Sequence, residues 1–281
     1  MRNASPLRYP GGKWRFFLFF EKLISENFET GPVYIEPYAG GASLALSLLF
    51  ADKVKEIYLN DIDPAIYAFW HSVMNHNDRF CELVQITSVT PYEWSRQREI
   101  YRQGGRLGKF PLGFATFFLN RTNHSGILNG GMIGGKSQQG KWRIDARFNR
   151  AELVRRLILI ASFRSRIHLS CMDAMDFLRH HRRGRNKLIY LDPPYFGPGR
   201  RLYYNAYGPN DHADVRNRIS ELPCPWLISY DDIQPIRKLY RKFRWRRVQW
   251  RHTARASRQG HEIIYFSPQL IIPRVCVEPS A

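Results

Sequence analysis

Cysteine is scarce and scattered. The four cysteines of the 281-residue chain, Cys81, Cys171, Cys224 and Cys276, form no C-x-x-C pair, which argues against a zinc site or a disulfide framework and fits a reducing compartment. Long apolar runs are missing as well. The stretch from Trp14 to Phe20 is short and broken by Arg15, so neither a membrane span nor a secretory leader is expected and the cytoplasm is the default. Acid is in deficit: 24 Asp and Glu stand against 43 Lys and Arg, a net +19. That balance predicts a polyanionic partner, most simply nucleic acid; a merely soluble basic protein is the bland alternative. There are no internal repeats or coiled-coil heptads. What remains is 44% hydrophobic and 14% aromatic, enough for one large domain or one domain carrying an insertion. Several aromatic residues lie among the basic ones, which suits base stacking.

The strongest local signal is Leu188-Ile189-Tyr190-Leu191-Asp192-Pro193-Pro194-Tyr195. Four apolar residues read as a short buried strand that stops at a carboxylate, two prolines and a ring. Asp192 can accept from N–H donors. Pro193 and Pro194 fix φ and remove two main-chain donors, so carbonyls are presented with no competing N–H. Tyr195 offers a flat face to a planar base. A pocket of acceptors beside a ring suits an exocyclic amine on a heterocycle; a plain strand ending in a proline turn is the alternative.

Upstream, Val33-Tyr34-Ile35-Glu36 leads through Pro37-Tyr38-Ala39-Gly40-Gly41-Ala42-Ser43 into the apolar run Leu44 to Phe50, the opening of a βαβ unit. The turn lacks G-x-G-x-x-G spacing, so a pyrophosphate cradle is not expected. The next strand, Glu56 to Leu59, ends at Asn60-Asp61-Ile62-Asp63. Asp61 stands about 20 residues past the glycines, where an acid can hold ribose hydroxyls or merely cap the following helix. A glycine turn with an acidic strand end predicts a nucleoside cofactor lacking pyrophosphate, and S-adenosylmethionine fits. Arg166 to Ser170 reads as another strand. Asp173 lies just beyond it, placed to accept from an adenine amino group or to cap the helix 174–180.

Residues 75–163 differ in character. The segment 80–103 is polar and helical in pattern, Pro111 to Leu119 is an aromatic helix, and Ala146 to Phe163 is amphipathic. Between them, Asn120-Arg121-Thr122-Asn123-His124-Ser125-Gly126 opens a stretch with six glycines from Gly126 to Gly140. Long glycine-rich loops inside a compact domain are usually functional or mobile. With Arg121, Lys136, Lys141 and Arg143 around it, this one is expected to read nucleic acid. The opening Tyr9-Pro10-Gly11-Gly12-Lys13-Trp14 is a turn leading to a helix at 15–26, and Phe196 to Asn210 is a loop long enough to close over a site. Pro225 to Tyr230 is a further strand. The segment 237–258 holds ten Lys and Arg with Trp245 and Trp250 interleaved. It predicts an edge hairpin with one basic face, including Arg246, Arg247 and Arg251, that returns through Glu262 to Phe266.

Five motifs occur in order: Pro6…Tyr9-Pro10-Gly11-Gly12-Lys13, Glu36-Pro37-Tyr38-Ala39-Gly40-Gly41, Asn60-Asp61-Ile62-Asp63, Asn120-Arg121-Thr122 and Asp192-Pro193-Pro194-Tyr195. From residue 6 to about 266 the chain resembles the adenine-specific DNA N6-methyltransferases of bacteria and phages. The resemblance implies an α/β fold, a Rossmann-like S-adenosylmethionine-dependent methyltransferase sheet formed by 1–74 and 164–281, with a mainly helical target-recognition insertion at 75–163. It implies that Tyr9, Lys13, Pro37, Tyr38, Ala39, Gly40, Gly41, Asp61 and Asp173 line the S-adenosylmethionine site. Asp192, Pro193, Pro194 and Tyr195 would hold the target adenine. Arg121, Asn123, His124, Lys136, Lys141, Arg246, Arg247 and Arg251 are the residues expected to meet double-stranded DNA, with the protein acting as a monomer or as a dimer on DNA.

Two positions depart from the family pattern: Ala42, where many members carry another glycine, and Asn123-His124-Ser125-Gly126, where many carry an aromatic residue and an Asn-Gly pair. The implied chemistry needs no metal and no covalent enzyme intermediate. Acceptors at Asp192 and the Pro193 carbonyl would localise the N6 lone pair of an adenine flipped out of the duplex. The competing readings are an RNA adenine N6-methyltransferase, an inactive DNA-binding relative, and a methylase acting on a glutamine amide.

Overall fold

The structure is a computed structural model that describes residues 4–9, 13–184, 186–196, 207–251 and 259–274. The strands are β1 (Val33–Glu36), β2 (Glu56–Asn60), β3 (Ile167–Ser170), β4 (Lys187–Leu191), β5 (Trp226–Asp231), β6 (Arg244–Arg251) and β7 (Gln259–Phe266). They form one sheet in the order β3-β2-β1-β4-β5-β7-β6. The first five are parallel, and β7 runs antiparallel between β5 and β6. The helices are α1 (Phe17–Asn27), α2 (Ser43–Phe50), α3 (Pro64–Asn75), α4 (Asn77–Ile86), α5 (Pro91–Arg102), α6 (Lys109–Thr122), α7 (Arg150–Ser162), α8 (Ala174–His181), α9 (Pro209–Ser220) and α10 (Gln234–Leu239).

The central strands are apolar throughout because helices cover both faces. On β4, Leu188 and Tyr190 pack with α1, α2, α3 and α6 on one side. Ile189 and Leu191 pack with α8, α9 and α10 on the other, as a period of two requires. The chain runs outward through β2 and β3 and then crosses to β4, so β1 and β4 are neighbours from which the connections diverge. In open parallel sheets the crevice at the carboxyl ends of such a pair is where ligands bind.

The polar segment expected over 80–103 is two helices. Thr90 accepts from the Glu93 amide and Pro91 takes the first position of α5, which together force a fresh start. Residues 77–163 are mainly helical and pack on α3. Gly113 on α6 lets that packing close, since a Cβ there would come within 2.4 Å of the Ala68 carbonyl oxygen. The phenylalanines Phe80, Phe114, Phe117 and Phe148 fill the interface edge to face. Among the described residues no helix is long and apolar enough to cross a membrane.

Candidate active site

A cavity lies over the carboxyl ends of β1, β2 and β4. It is lined by Tyr9, Lys13, Glu36 to Leu44, Asn60 to Asp63, Ala174, Asp192, Pro194 and Tyr207, with Tyr101 and Gly126 to Asn129 closing it from the helical segment. The expected residues Tyr9, Lys13, Pro37, Tyr38, Ala39, Gly40, Gly41 and Asp61 therefore share one wall with Asp192 and Pro194.

The glycine turn is fixed from every side. The Gly40 amide donates to Asp61 Oδ2 at 2.8 Å, and its carbonyl accepts from the buried indole of Trp70 at 2.9 Å. Gly40 has φ of +45° and carries the Tyr9 ring against it, 2.8 Å from where a Cβ would stand, so both conformation and contact require glycine. Asp61 Oδ1 accepts from the Asp63 amide at 3.0 Å. Burial pushes the Asp61 carboxyl up to about 6, against the two amide hydrogen bonds. Asn60 ties three strand ends together, donating to the carbonyls of Pro37 and Met172 and accepting from the Met172 amide. Tyr38 and Tyr207 meet through their hydroxyls, 3.1 Å apart.

Beneath the turn, Glu36 is buried and accepts from the Tyr34 hydroxyl at 2.9 Å. Burial lifts it to about 8, opposed by the Tyr34 bond, assisted by nearby Asp192 and opposed again by the Ala45 amide. At neutral pH its carboxyl is therefore largely protonated.

Asp192 is held differently. Its Oδ1 accepts from Ser229 Oγ on β5 at 2.8 Å and lies 3.2 Å from Lys13 Nζ. Among the described residues no hydrogen bond reaches its Oδ2. Lys13 is 6% exposed, donates to both carboxylate oxygens of Glu262 on β7 at 2.9 and 3.0 Å, and stands 6.0 Å from the Tyr195 ring centre. Pro193 and Pro194 are buried and Tyr195 is half-buried. Sequence reasoning assigned no function to Glu36, Ser229 or Glu262. Only an acid at the end of an apolar strand (Glu36) or inside one (Glu262) hinted at them.

Several expectations need correction. Asn123 does not face a ligand: it is fully buried, accepts from the Trp94 indole at 2.6 Å, and donates to the carbonyls of Ile127 and Leu128. Arg121 is also turned inward, donating to the carbonyls of Arg147 and Pro6. Burial lowers it to about 9, and Arg8, Arg156 and Arg147 add repulsion. Asn120 completes this staple by exchanging hydrogen bonds with the Arg8 main chain. Of the two roles the sequence leaves to Asp173 the cap is formed, its Oδ1 accepting from the amide of Met175 at 2.8 Å at the start of α8, and its neighbour Ala174 borders the cavity. The hairpin does not have one basic face. Arg246 donates to the Pro273 carbonyl on one side of the sheet, while Arg247 pairs with Asp232 at 2.7 Å on the other. His124, Lys136 and Lys141 are exposed. The Arg251 side chain, Pro10 to Gly12 and most of the 196–210 loop lie outside the described residues.

A sheet of this strand order, with a glycine turn after β1 clamped by an acid after β2, is the Rossmann-like fold of S-adenosylmethionine-dependent methyltransferases. The chain belongs to the D12 class N6 adenine-specific DNA methyltransferase family, whose profile matches residues 9–254. No curated protein matches the sequence. Among solved structures, the chain is similar to a candidate RNA methyltransferase from Pyrococcus horikoshii (12% identity, 93% of this chain and 85% of that one, TM-score 0.44). It is also similar to a candidate methylase from Haemophilus influenzae (8% identity, 88% and 92%, TM-score 0.31) and to a protein from Legionella pneumophila (11% identity, 90% and 83%, TM-score 0.35). Likenesses this distant carry no argument about substrate.

The cavity fits the methyl donor that the family implies. Asp61 retains acceptor capacity toward ribose hydroxyls, the Gly40–Gly41 turn lines the cavity beside it, and the Tyr38 and Tyr9 rings complete that part of the lining.

Proposed function

We propose that the protein transfers a methyl group from S-adenosylmethionine to the N6 amine of an adenine flipped out of double-stranded DNA. The observation that carries this reading is Asp192. One carboxylate oxygen is fixed by Ser229 and Lys13 while the other has no partner among the described residues, in the same cavity as the clamped glycine turn.

The adenine amine is a poor nucleophile because its lone pair is delocalised into the ring. Asp192 Oδ2 and the Pro193 carbonyl would accept its two N–H bonds, localise the lone pair and stabilise the positive charge that develops on nitrogen. Bound S-adenosylmethionine supplies the electrophilic methyl on its sulfonium. Asp192 then takes the proton that the methylated amine releases. Tyr195 supplies the stacking face for the flipped base.

A nucleic-acid substrate is favoured by the net charge of +19 and by the exposed cations of the helical segment, and the family match favours DNA. In that segment Trp142, 57% exposed, has the Lys141 ammonium 5.7 Å and the Arg147 guanidinium 5.5 Å from its ring centre. A ring and cations together suit contact with stacked bases and phosphates. The test is transfer from labelled S-adenosylmethionine to duplex DNA, duplex RNA and single strands, with the modified base mapped on the product. Label on N6 of adenine in duplex DNA is the expected result; transfer to RNA alone overturns the assignment of substrate.

A further inference from the structure

Lys13 reaches Asp192 from a turn near the start of the chain, and its direction is set by a residue 249 positions away. The ammonium has three N–H bonds. Glu262 accepts at both oxygens, 2.9 and 3.0 Å, and Asp192 Oδ1 lies 3.2 Å from the same nitrogen as its second ion-pair partner. Glu262 is itself buried on β7, paired in register with Asp231 of β5. Two carboxylates and one ammonium leave an excess of negative charge in a buried site. Such an arrangement is costly unless its geometry is used, because a buried ion group gives little net stability over apolar packing.

We propose that Glu262 is a positioning residue of the transfer reaction: it anchors Lys13 so that the ammonium holds Asp192 by Oδ1 and leaves Oδ2 for the substrate amine. The inference rests on the methyl-transfer reading above and assigns to it a residue on the antiparallel strand, remote in sequence from every motif turn. The groups facing Lys13 are Asp192, Tyr195 and Tyr190 from β4 and its turn, Glu262 from β7 and Asp231 from β5. Burial pulls the Lys13 ammonium down, and Asp192, Glu262 and the two tyrosines together hold it well above the usual range. With Glu262 neutralised, the same burial is opposed by one carboxylate fewer. Lys13 then loses its proton at lower pH, and Asp192 loses its anchor with it.

The test is Glu262→Gln, which keeps size and a hydrogen-bond acceptor while removing the charge. Methyl transfer to duplex DNA is measured under saturating S-adenosylmethionine from about pH 7 to 11, a range spanning the ordinary lysine value of about 10.4. The expected kcat falls about ten- to a hundredfold, as for a displaced reacting group, with KM for DNA nearly unchanged. A new alkaline decline in rate appears in the variant. Glu36, whose carboxyl burial lifts to about 8 near Asp192, is present in both proteins, so the comparison is made on the difference between the two profiles. Glu262→Asp keeps the charge at a shorter reach, so it loses rate without gaining the alkaline decline, and it serves where the amide variant fails to fold. Wild-type kcat and profile in Glu262→Gln, or a loss confined to KM for DNA, overturns the proposal. Failure of the underlying reading looks different, because then the wild-type protein itself methylates no adenine.

Discussion

On the cofactor side of the cavity, polar groups are held by nearby main chain. Asp61 takes the amides of Gly40 and Asp63, and Asn60 binds the carbonyls of Pro37 and Met172. On the substrate side, Asp192 is held by side chains from remote elements, Ser229 on β5 and Lys13 backed by Glu262 on β7. The first construction uses main-chain groups of the turns that follow β1, β2 and β3. The second depends on three elements packing correctly, and it leaves one acceptor open. Substitutions on the cofactor side should therefore act on binding, and those on the substrate side on the rate.

Asp192→Ala breaks the comparison most directly. Removing an acceptor aimed at developing charge is expected to lower kcat by about 10³-fold or more, at the upper end for a single preorganised group. S-adenosylmethionine affinity, measured by calorimetry, should be nearly unchanged. Near wild-type turnover would show that the open carboxylate oxygen is not where the amine binds.

Glu36 sits between the two sides, and its substitution tests whether its charge is suppressed. The folded state holds its proton to about 8, whereas the unfolded chain releases it near 4.5. Between those values the unfolded state binds fewer protons, so stability falls as pH rises, by roughly 1.4 kcal/mol per unit. Glu36→Gln cannot ionise. Its melting temperature relative to wild type should climb from about pH 5 to 8 and then level off, whereas a constant difference across that range would mean that Glu36 is charged in the folded protein.

The parts of this site legible in the sequence were the turns. Pro37, Gly40, Pro193 and Pro194 punctuate apolar strands, and such breaks can be read residue by residue. The Lys13–Glu262 pair was not legible, because β7 reads as an ordinary strand and the partners are 249 residues apart. Asn123 and Arg121 were misread for a different reason. Polar residues beside glycines can fold a loop inward as readily as they can present it outward, and here they satisfy the carbonyls that the loop would otherwise bury. The basic face of the hairpin was an error against the rule of alternation itself: adjacent arginines on a strand must point to opposite sides.

Asp61→Ala sharpens the comparison from the cofactor side. Losing a charged acceptor is expected to weaken S-adenosylmethionine by about 1–3 kcal/mol, with kcat at saturation little changed. Because burial places the Asp61 carboxyl at about 6, wild-type affinity should decline as pH falls through that value and the carboxyl gains its proton. Asp61→Asn should remove this dependence. Titrations of both proteins at pH values on either side of 6 decide it, and parallel pH curves would reduce Asp61 to a clamp for the Gly40 and Asp63 amides.

The smallest effect is expected at Ala42. The residue adopts φ 46° and ψ 30°, left-handed, immediately before α2. That conformation costs an L-residue roughly 1–2 kcal/mol, so glycine would relieve strain. Two terms oppose the gain. The Ala42 methyl is buried, at 2% exposure, and its loss removes about 0.8 kcal/mol of apolar burial. Glycine also loosens the unfolded chain, by about 0.4–1 kcal/mol. The three terms nearly cancel, so Ala42→Gly should change unfolding free energy by less than about 1 kcal/mol, with S-adenosylmethionine affinity preserved because the Gly40 clamp is untouched. Denaturant titration measures the first and calorimetry the second. A large loss of stability would mean that the methyl is a packing element with no substitute, while a large gain would mean that the turn stores strain. Either result would show that the glycine turn is held by more than the main-chain hydrogen bonds around it.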